Sequence, residues 1–395
     1  MTFAFEEHVE APHWQSVLDL CRFLHQDAIE RDLAGGSPTV QIVALKRAGL
    51  LAVHLPKTFG GLDLSWENIL RDVREFAKTD GSVAHLYGYH YLQLATILIK
   101  GTEAQKSSLL ARTRDEELFW ANSGNVAARS SIGRRVEGGF IVSGSRPFSS
   151  GSHVADDLIV GFETTDGALV QAAIPATREG IVVEGDWDGI GQRQTGSGTV
   201  TYNDVLVHDE EMLGQNRTPD DVHAFSLISL LSLAVVMNVF AGSAIGALEE
   251  ARRYTKEKSR PFLHSGLEKS TDDPWIQRDY GDLVIRAVAA LQQVREANAT
   301  LDIVWRKSLA LSGEERGRLA IAIAAANVSA GETALHVCSK ILEPTGARSA
   351  VRQTGLDRFW RNVRTHSLHN PAEYKRRTVG TWFLTGAYPG YGPFR

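Results

Sequence analysis

The chain has 395 residues, 42 Lys and Arg against 47 Asp and Glu for a formal charge of -5, and 43% hydrophobic residues. That is enough apolar material for two or three cores without covalent staples, and a mildly acidic balance without a basic block gives no reason to expect nucleic acid. Its two cysteines, Cys21 and Cys338, stand far apart with no metal-ligand spacing, which argues against a disulfide framework or a structural zinc site; no metal is expected.

The opening MTFAFEEHVEAPHW carries acidic residues and no basic segment ahead of an apolar core, so a secretory signal is not expected and the cytoplasm is the natural compartment. Through residue 115, apolar positions recur at three and four, as in VLDLCRFLHQDAI and NILRDVREFAKT, with Gly35-Gly36 and Gly60-Gly61 as breaks. This predicts a helical domain over 1–115. Across 116–215 the period becomes two: LFWANSG, GFIVSGSRPFSS, DDLIVGFE, LVQAAIP, GIVVEGDW and GTVTYNDVLV read as strands of a β domain. From 216 to 395 long helical periodicity returns. Its uncharged run 224–248 is long enough to cross a bilayer, but Ser226, Ser229, Ser232, Asn238 and Ser243 fit a buried bundle helix better.

Three segments carry candidate chemistry. The run 86–94, LYGYHYLQL, packs Tyr87, Tyr89, His90 and Tyr91 into one helix; a histidine among aromatics is ordinarily a satisfied core residue, unless the same pocket receives further polar groups. FSSGSH at 148–153, after Pro147, places Ser149, Ser150 and Ser152 at a strand end, where hydroxyls suit either a solvated turn or a polar ring system. Gly189, Gly191 and the TGSG at 195–198 match no phosphate-loop spacing and read as turns between strands, with Ser197 able to offer a hydroxyl. Near the end, Arg358, Arg361 and Arg364 precede His366 and His369 on one predicted helix that Pro371 ends, a titratable cluster at a helix C-terminus.

The helix–sheet–helix order resembles the acyl-CoA dehydrogenase family over nearly the whole chain. ALEEARRY at 247–254, the following Ser259-Arg260-Pro261-Phe262, PFSSG at 147–151 and EPTGARSA at 343–350 carry the likeness. Where dehydrogenases of that fold place a catalytic glutamate, RTHSLHNP offers histidines. GDWDGIGQRQTGSG at 185–198 and LDRFWRNVRTHSLHNP at 356–371 resemble specifically its flavin-dependent monooxygenases, the group containing dibenzothiophene monooxygenase. The resemblance implies an α+β chain with an N-terminal helical domain, a central β-barrel or sandwich and a C-terminal four-helix bundle.

It also implies a function. A separate NAD(P)H-dependent reductase would deliver reduced FMN or FAD, O2 would add at C4a, and the hydroperoxyflavin would oxygenate a small aromatic or heteroaromatic substrate of the indole or thiophene type. An acyl-CoA dehydrogenase or oxidase with bound FAD, and an N-oxygenase of amino sugars, are the alternatives within the fold. By the resemblance, His369, with His90 and Tyr91 opposite it and Ser150 as donor, handles protons, and Ser149 rivals Ser150. Asn125, Phe148, Ser149, Ser150, Trp187, Ser197, Arg260, Phe262 and Arg348 hold the flavin, the two arginines at its phosphate across a subunit boundary. Tyr89, His90, Trp120, Phe148 and His366 line the substrate pocket. Cofactor sites shared between subunits imply a homo-oligomer, expected to be a tetramer.

Overall fold

The structure is a computed structural model that describes residues 11–124, 130–215 and 221–392. Six helices open the chain: α1 (Trp14–His25), α2 (Ala28–Ala34), α3 (Thr39–Arg47), α4 (Trp66–Ala77), α5 (Gly81–Lys100) and α6 (Glu103–Asp115). Their starts are set locally, by Ser65 accepting from the Asn68 N–H and by the reciprocal Thr102–Gln105 capping box.

Eight strands follow: β1 (Trp120–Ser123), β2 (Ser131–Val136), β3 (Gly139–Arg146), β4 (Asp157–Thr164), β5 (Leu169–Pro175), β6 (Ile181–Val183), β7 (Val200–His208) and β8 (Met212–Leu213). They form one sheet in the order β6-β7-β3-β2-β4-β5-β8, with β1 paired in parallel to β4. The alternation reading misses β2. Its inward positions are Ser131 and Gly133 rather than apolar residues, because the Phe162 ring fills the space: a Cβ on Gly133 would lie 2.4 Å from that ring.

The C-terminal part comprises α7 (Val222–Phe225), α8 (Leu227–Glu257), α9 (Pro274–Trp305), α10 (Gly313–Lys340), α11 (Leu342–Thr345), α12 (Asp357–Ser367) and α13 (Ala372–Thr385). The uncharged run becomes α8, buried at every position from 230 to 248 between α4 and α5 on one side and α9 and α10 on the other. A helix surrounded by protein must be apolar all round. Close approach needs missing side chains: a Cβ on Gly242 would stand 2.2 Å from the Arg74 carbonyl and one on Gly246 2.0 Å from that of Lys78. The largest polar side chain in that stretch, Asn238, exchanges hydrogen bonds with Asn298 at 3.0 Å and accepts from Arg74 at 2.8 Å, locking α4, α8 and α9 in one register.

The terminal cluster is not one helix. α12 ends at Ser367, so His369 lies in the link to α13, and the three arginines go to different partners. Arg358 pairs with Glu250 and Arg361 with Asp32 and Asp357, while Arg364 donates to Ser367 Oγ at 3.2 Å.

Candidate active site

The site forms where α5, α8 and the end of α12 meet the β domain. Asp80 caps α5, its Oδ1 accepting from the N–H groups of Ser82 and Val83, both at 2.9 Å. From that start, Gly81, His85 and Tyr89 recur every four residues and share one stripe. The His85 ring lies 4.0 Å from that of Tyr89 and 4.7 Å from that of His366, and the Tyr89 hydroxyl is hydrogen-bonded to Ser232 Oγ of α8 at 2.9 Å. His366 in turn faces Phe240 of α8 at 6.5 Å.

Both His85 ring nitrogens and His366 Nδ1 are buried without a hydrogen-bond partner. Unsatisfied buried polar atoms cost about 1–3 kcal/mol each, and such a concentration is unusual outside a functional site. Burial, then the neighbouring His366 and His369, push the His85 pKa well below its ordinary value; burial, then His369, takes His366 down to about 3. His369 stands exposed beside them, its pKa lowered by the protein crowding its ring and then by the Lys375 charge. Lys375 is itself brought to about 8 by burial and donates to the Asn370 carbonyl at 2.8 Å. His366, His369 and Lys375 border a cavity of about 300 Å³. Its two carboxylates, Glu332 and Glu373, are exposed and both paired with Arg376.

This corrects the histidine and aromatic assignments. His90 lies about 140° around α5 from His85, since five residues at 100° each make 500°. There its Nε2–H donates to the Leu51 carbonyl at 2.7 Å, its Nδ1 accepts the Trp120 N–H at 3.1 Å, and its ring stacks on Phe119. Tyr91 donates to the Leu50 carbonyl and accepts from the Val53 N–H, and Trp120 Nε1 donates to Thr113 Oγ1 at 2.8 Å. All three are satisfied core residues, and none lines the cavity that His366 and His369 border. Of the substrate-pocket residues read from the sequence, Tyr89 and His366 come together, and His85 was missed. The signal available was the four-residue recurrence from the Asp80 cap.

The serine turn is resolved by its hydrogen bonds. Ser149 is fully buried, donating to the Arg146 carbonyl at 2.9 Å and pairing with Ser123 Oγ at 2.8 Å. Ser150 instead begins a hydroxyl chain: Ser150 to Ser197 at 2.7 Å, Ser197 to Thr195 at 2.7 Å, and Thr195 to the Gln192 carbonyl at 2.8 Å. Beside it Phe148 is 61% exposed at φ 59°, edge-on to Trp187 at 6.3 Å. A large apolar ring held exposed on a left-handed backbone costs stability twice, and a planar ligand covering it offsets both terms. An exposed aromatic ring beside a hydroxyl chain fits a flavin ring. Asn125 lies outside the described residues.

Arg260, Phe262 and Arg348 form a separate group. Ser259 Oγ donates to the Thr345 carbonyl at 2.9 Å, bringing the turn after α8 to the end of α11. Both arginines are exposed there and, among the described residues, neither has a hydrogen bond or ion pair; Phe262 is 71% exposed. From Phe240, beside His366, to Glu257 is seventeen residues of α8, about 26 Å at 1.5 Å per residue. One chain therefore does not bring its arginines to its own histidines.

Buried neutral histidines make stability pH-dependent. His54, His85, His90 and His366 all have lowered pKa values, burial being the first cause, with His90 near 4 and His366 near 3. The unfolded chain takes protons the native state refuses, so this stability is fully present above about pH 6.5 and is lost as pH falls toward the folded values. At ~1.4 kcal/mol per pH unit per group, the urea midpoint should fall steeply from pH 6.5 to 5. A flat midpoint over that range would contradict neutral burial.

Comparisons with known proteins agree with this architecture. The acyl-CoA dehydrogenase N-terminal domain family matches residues 20–117, and the acyl-CoA dehydrogenase C-terminal domain family residues 234–373. A probable FMNH2-dependent monooxygenase, SfnC of Pseudomonas putida, is 38% identical over 369 residues, 92% of each chain. Methanesulfinate monooxygenase MsuC of Pseudomonas fluorescens superposes with a TM-score of 0.95 at 37% identity, covering 98% of this chain and 100% of its own. TdsC of Paenibacillus sp. A11-2, a dibenzothiophene monooxygenase, in its complex with FMN and indole gives 0.92 at 34% identity, covering 97% and 99%.

Proposed function

The chain belongs to the acyl-CoA dehydrogenase family, in its branch of flavin-dependent monooxygenases, and on that premise we propose that it inserts one oxygen atom of O2 into a small heteroaromatic substrate of the indole or thiophene type. Reduced FMN, delivered by a separate NAD(P)H-dependent flavin reductase, supplies the activated oxygen when bound. The observation that carries the reading is the His85–His366 pair, whose unpartnered ring nitrogens lie beside Tyr89 where a dehydrogenase would need a carboxylate.

Each group has a task within this reading. Phe148, Trp187 and Ser150, the last backed by Ser197 and Thr195, would hold the flavin ring. Neutral His85 and His366 each offer one N–H and one lone pair, so they hold or accept a proton without bringing a charge into a dry site. Tyr89, fixed by Ser232, orients His85 and offers the substrate a flat wall. The packing of α5, α8 and α12 excludes water, which limits wasteful peroxide release.

The distant arginines support a homo-oligomer, a tetramer, in which a neighbouring subunit's Arg260 and Arg348 bind the flavin phosphate. Exposed Leu263, Phe383 and Leu384, at 85%, 79% and 82%, are apolar surface that such an assembly covers. The division at 1–115, 116–215 and 216–395 and a cytoplasmic location belong to the same proposal.

The deciding experiment supplies the purified protein with FMN, NADH, a flavin reductase, 18O2 and indole, benzothiophene or methanesulfinate in turn. Label in an aromatic product, dependent on reduced flavin, is the expected result. Label in the sulfinate product alone would move the substrate class to small sulfur oxyanions; tightly held FAD bleached by an acyl-CoA would overturn the monooxygenase reading. Arg260→Ala should weaken reduced-FMN binding about 10- to 100-fold, the loss of one charge-assisted phosphate contact of about 1.5–3 kcal/mol. Wild-type affinity in an anaerobic fluorescence titration would remove Arg260 from the site.

A further inference from the structure

The active-site face of α5 and the hydroxyl chain of the 189–198 loop come from different parts of the fold, yet one buried side chain touches the supports of both. Arg31 of α2 is 9% exposed. Its Nη1 donates to the Asp80 carboxylate and, at 2.9 Å, to Gln194 Oε1; its Nε and Nη2 are held by Asp27 Oδ1 and the Leu24 carbonyl, each at 2.7 Å. Every arm of the guanidinium is thus committed, which fixes its plane.

We propose that Arg31 is a positioning residue for the reaction: it sets the start of the helix carrying His85 and Tyr89 against the loop carrying Thr195 and Ser197. The proposal rests on the monooxygenase reading for its activity arm only. Asp80 takes Arg31 on Oδ2, which leaves Oδ1 for the two N–H groups of the α5 cap. Gln194, the other arm, sits one residue before Thr195; its Nε2 donates to the Gly35 carbonyl at 3.3 Å and its N–H to Ser82 Oγ at 3.4 Å. The adjoining residues tie the same α2 segment to α12. Asp32 pairs with Arg361, the Asp32 carbonyl accepts from Arg193 Nε at 2.7 Å, and Gln192 N–H donates to Asn362 Oδ1 at 2.6 Å, one turn before His366. The end of α2 is therefore a bracket between the three pieces that make the site. A displacement of about 1 Å of reacting groups lowers rates about 100-fold, so a bracket that touches no substrate still controls the chemistry.

Arg31→Lys keeps the charge beside Asp80 but cannot reach all four partners. Gln194→Leu cuts the loop arm and leaves the Asp80 pair. The readout that does not depend on flavin is carbethoxylation of histidines in the flavin-free protein, mapped by peptide mass spectrometry. His85 labelling should rise several-fold in Arg31→Lys while His90, on the opposite face of the same helix, stays protected; general loosening would expose both and overturn the proposal. In the loaded enzyme, Arg31→Lys and Gln194→Leu should each lower product per O2 consumed several-fold, with hydrogen peroxide accounting for the difference. The double variant should be no worse than the poorer single, because both cut one bracket. Unchanged His85 labelling in Arg31→Lys, or wild-type coupling in Gln194→Leu, would refute the role. A wild-type protein that oxygenates nothing but shows selective His85 labelling in Arg31→Lys would sink the monooxygenase reading and leave the positioning role supported.

Discussion

Replacing His85 by Ala is expected to lower product formation about 100-fold or more while flavin binding stays near wild type and oxygen consumption continues as hydrogen peroxide. A positioned acid or base contributes about 100- to 10,000-fold, and His85 is the member of the histidine group with both ring nitrogens uncommitted. It also touches Tyr89 and His366, so its loss removes a proton carrier and the contact that aligns the other two. The matched control is His90→Gln. That change breaks hydrogen bonds to Leu51 and Trp120 and should lower the urea midpoint, but product per O2 should hold. If His85→Ala oxygenates with wild-type coupling, or His90→Gln uncouples while His85→Ala does not, the site has been placed on the wrong face of α5.

Arg358→Leu should be the most destabilising single change in the terminal arginine cluster, at about 3–5 kcal/mol, because it strands Glu250 as an unpaired charge. Both side chains are nearly closed off, at 3% and 10% exposure, and the contact is a fork, with Nη1 to Oε2 at 3.0 Å beside the second arm to Oε1. Nη1 also closes the turn at the Gly355 carbonyl at 2.8 Å, and the guanidinium lies 4.1 Å from the Phe359 ring centre. Joint replacement, Arg358→Met with Glu250→Met, should recover most of the loss, since it removes the stranded carboxylate as well as its partner. Urea midpoints of both single variants and the pair decide it. A loss under about 1 kcal/mol in Arg358→Leu would mean the pair is solvated and α12 is held by packing alone.

The sequence placed three arginines and two histidines together because their spacing is helical, and α12 does carry four of them, His369 falling in the link beyond its end. Its functional reading as one cluster does not survive, because each arginine has its own acceptor: Glu250 on α8, Asp32 on α2, and Ser367 on α12 itself. Carboxylates 108 and 329 residues distant carry no local mark of which cation they meet. Likewise Ser149 and Ser150 are equivalent on paper. Only the pairing of Ser149 with Ser123 of β1, and of Ser150 with Ser197, separates a structural hydroxyl from a presented one.

By itself the sequence determined what short-range physics determines: the helix–sheet–helix order, the burial of the uncharged α8, and, through a long run of matched residues, the family. Tertiary structure alone decided which face of α5 meets α8 and α12. Tyr87, Tyr89, His90 and Tyr91 wrap most of the way round the helix, so periodicity cannot choose among them; the choice falls to the neighbours, with Leu51 and Phe119 claiming His90 and α8 and α12 claiming Tyr89 and His85. Pattern is a property of one helix, whereas a site is a property of the surfaces that meet it, and those contacts join residues whose separation along the chain has no period to read.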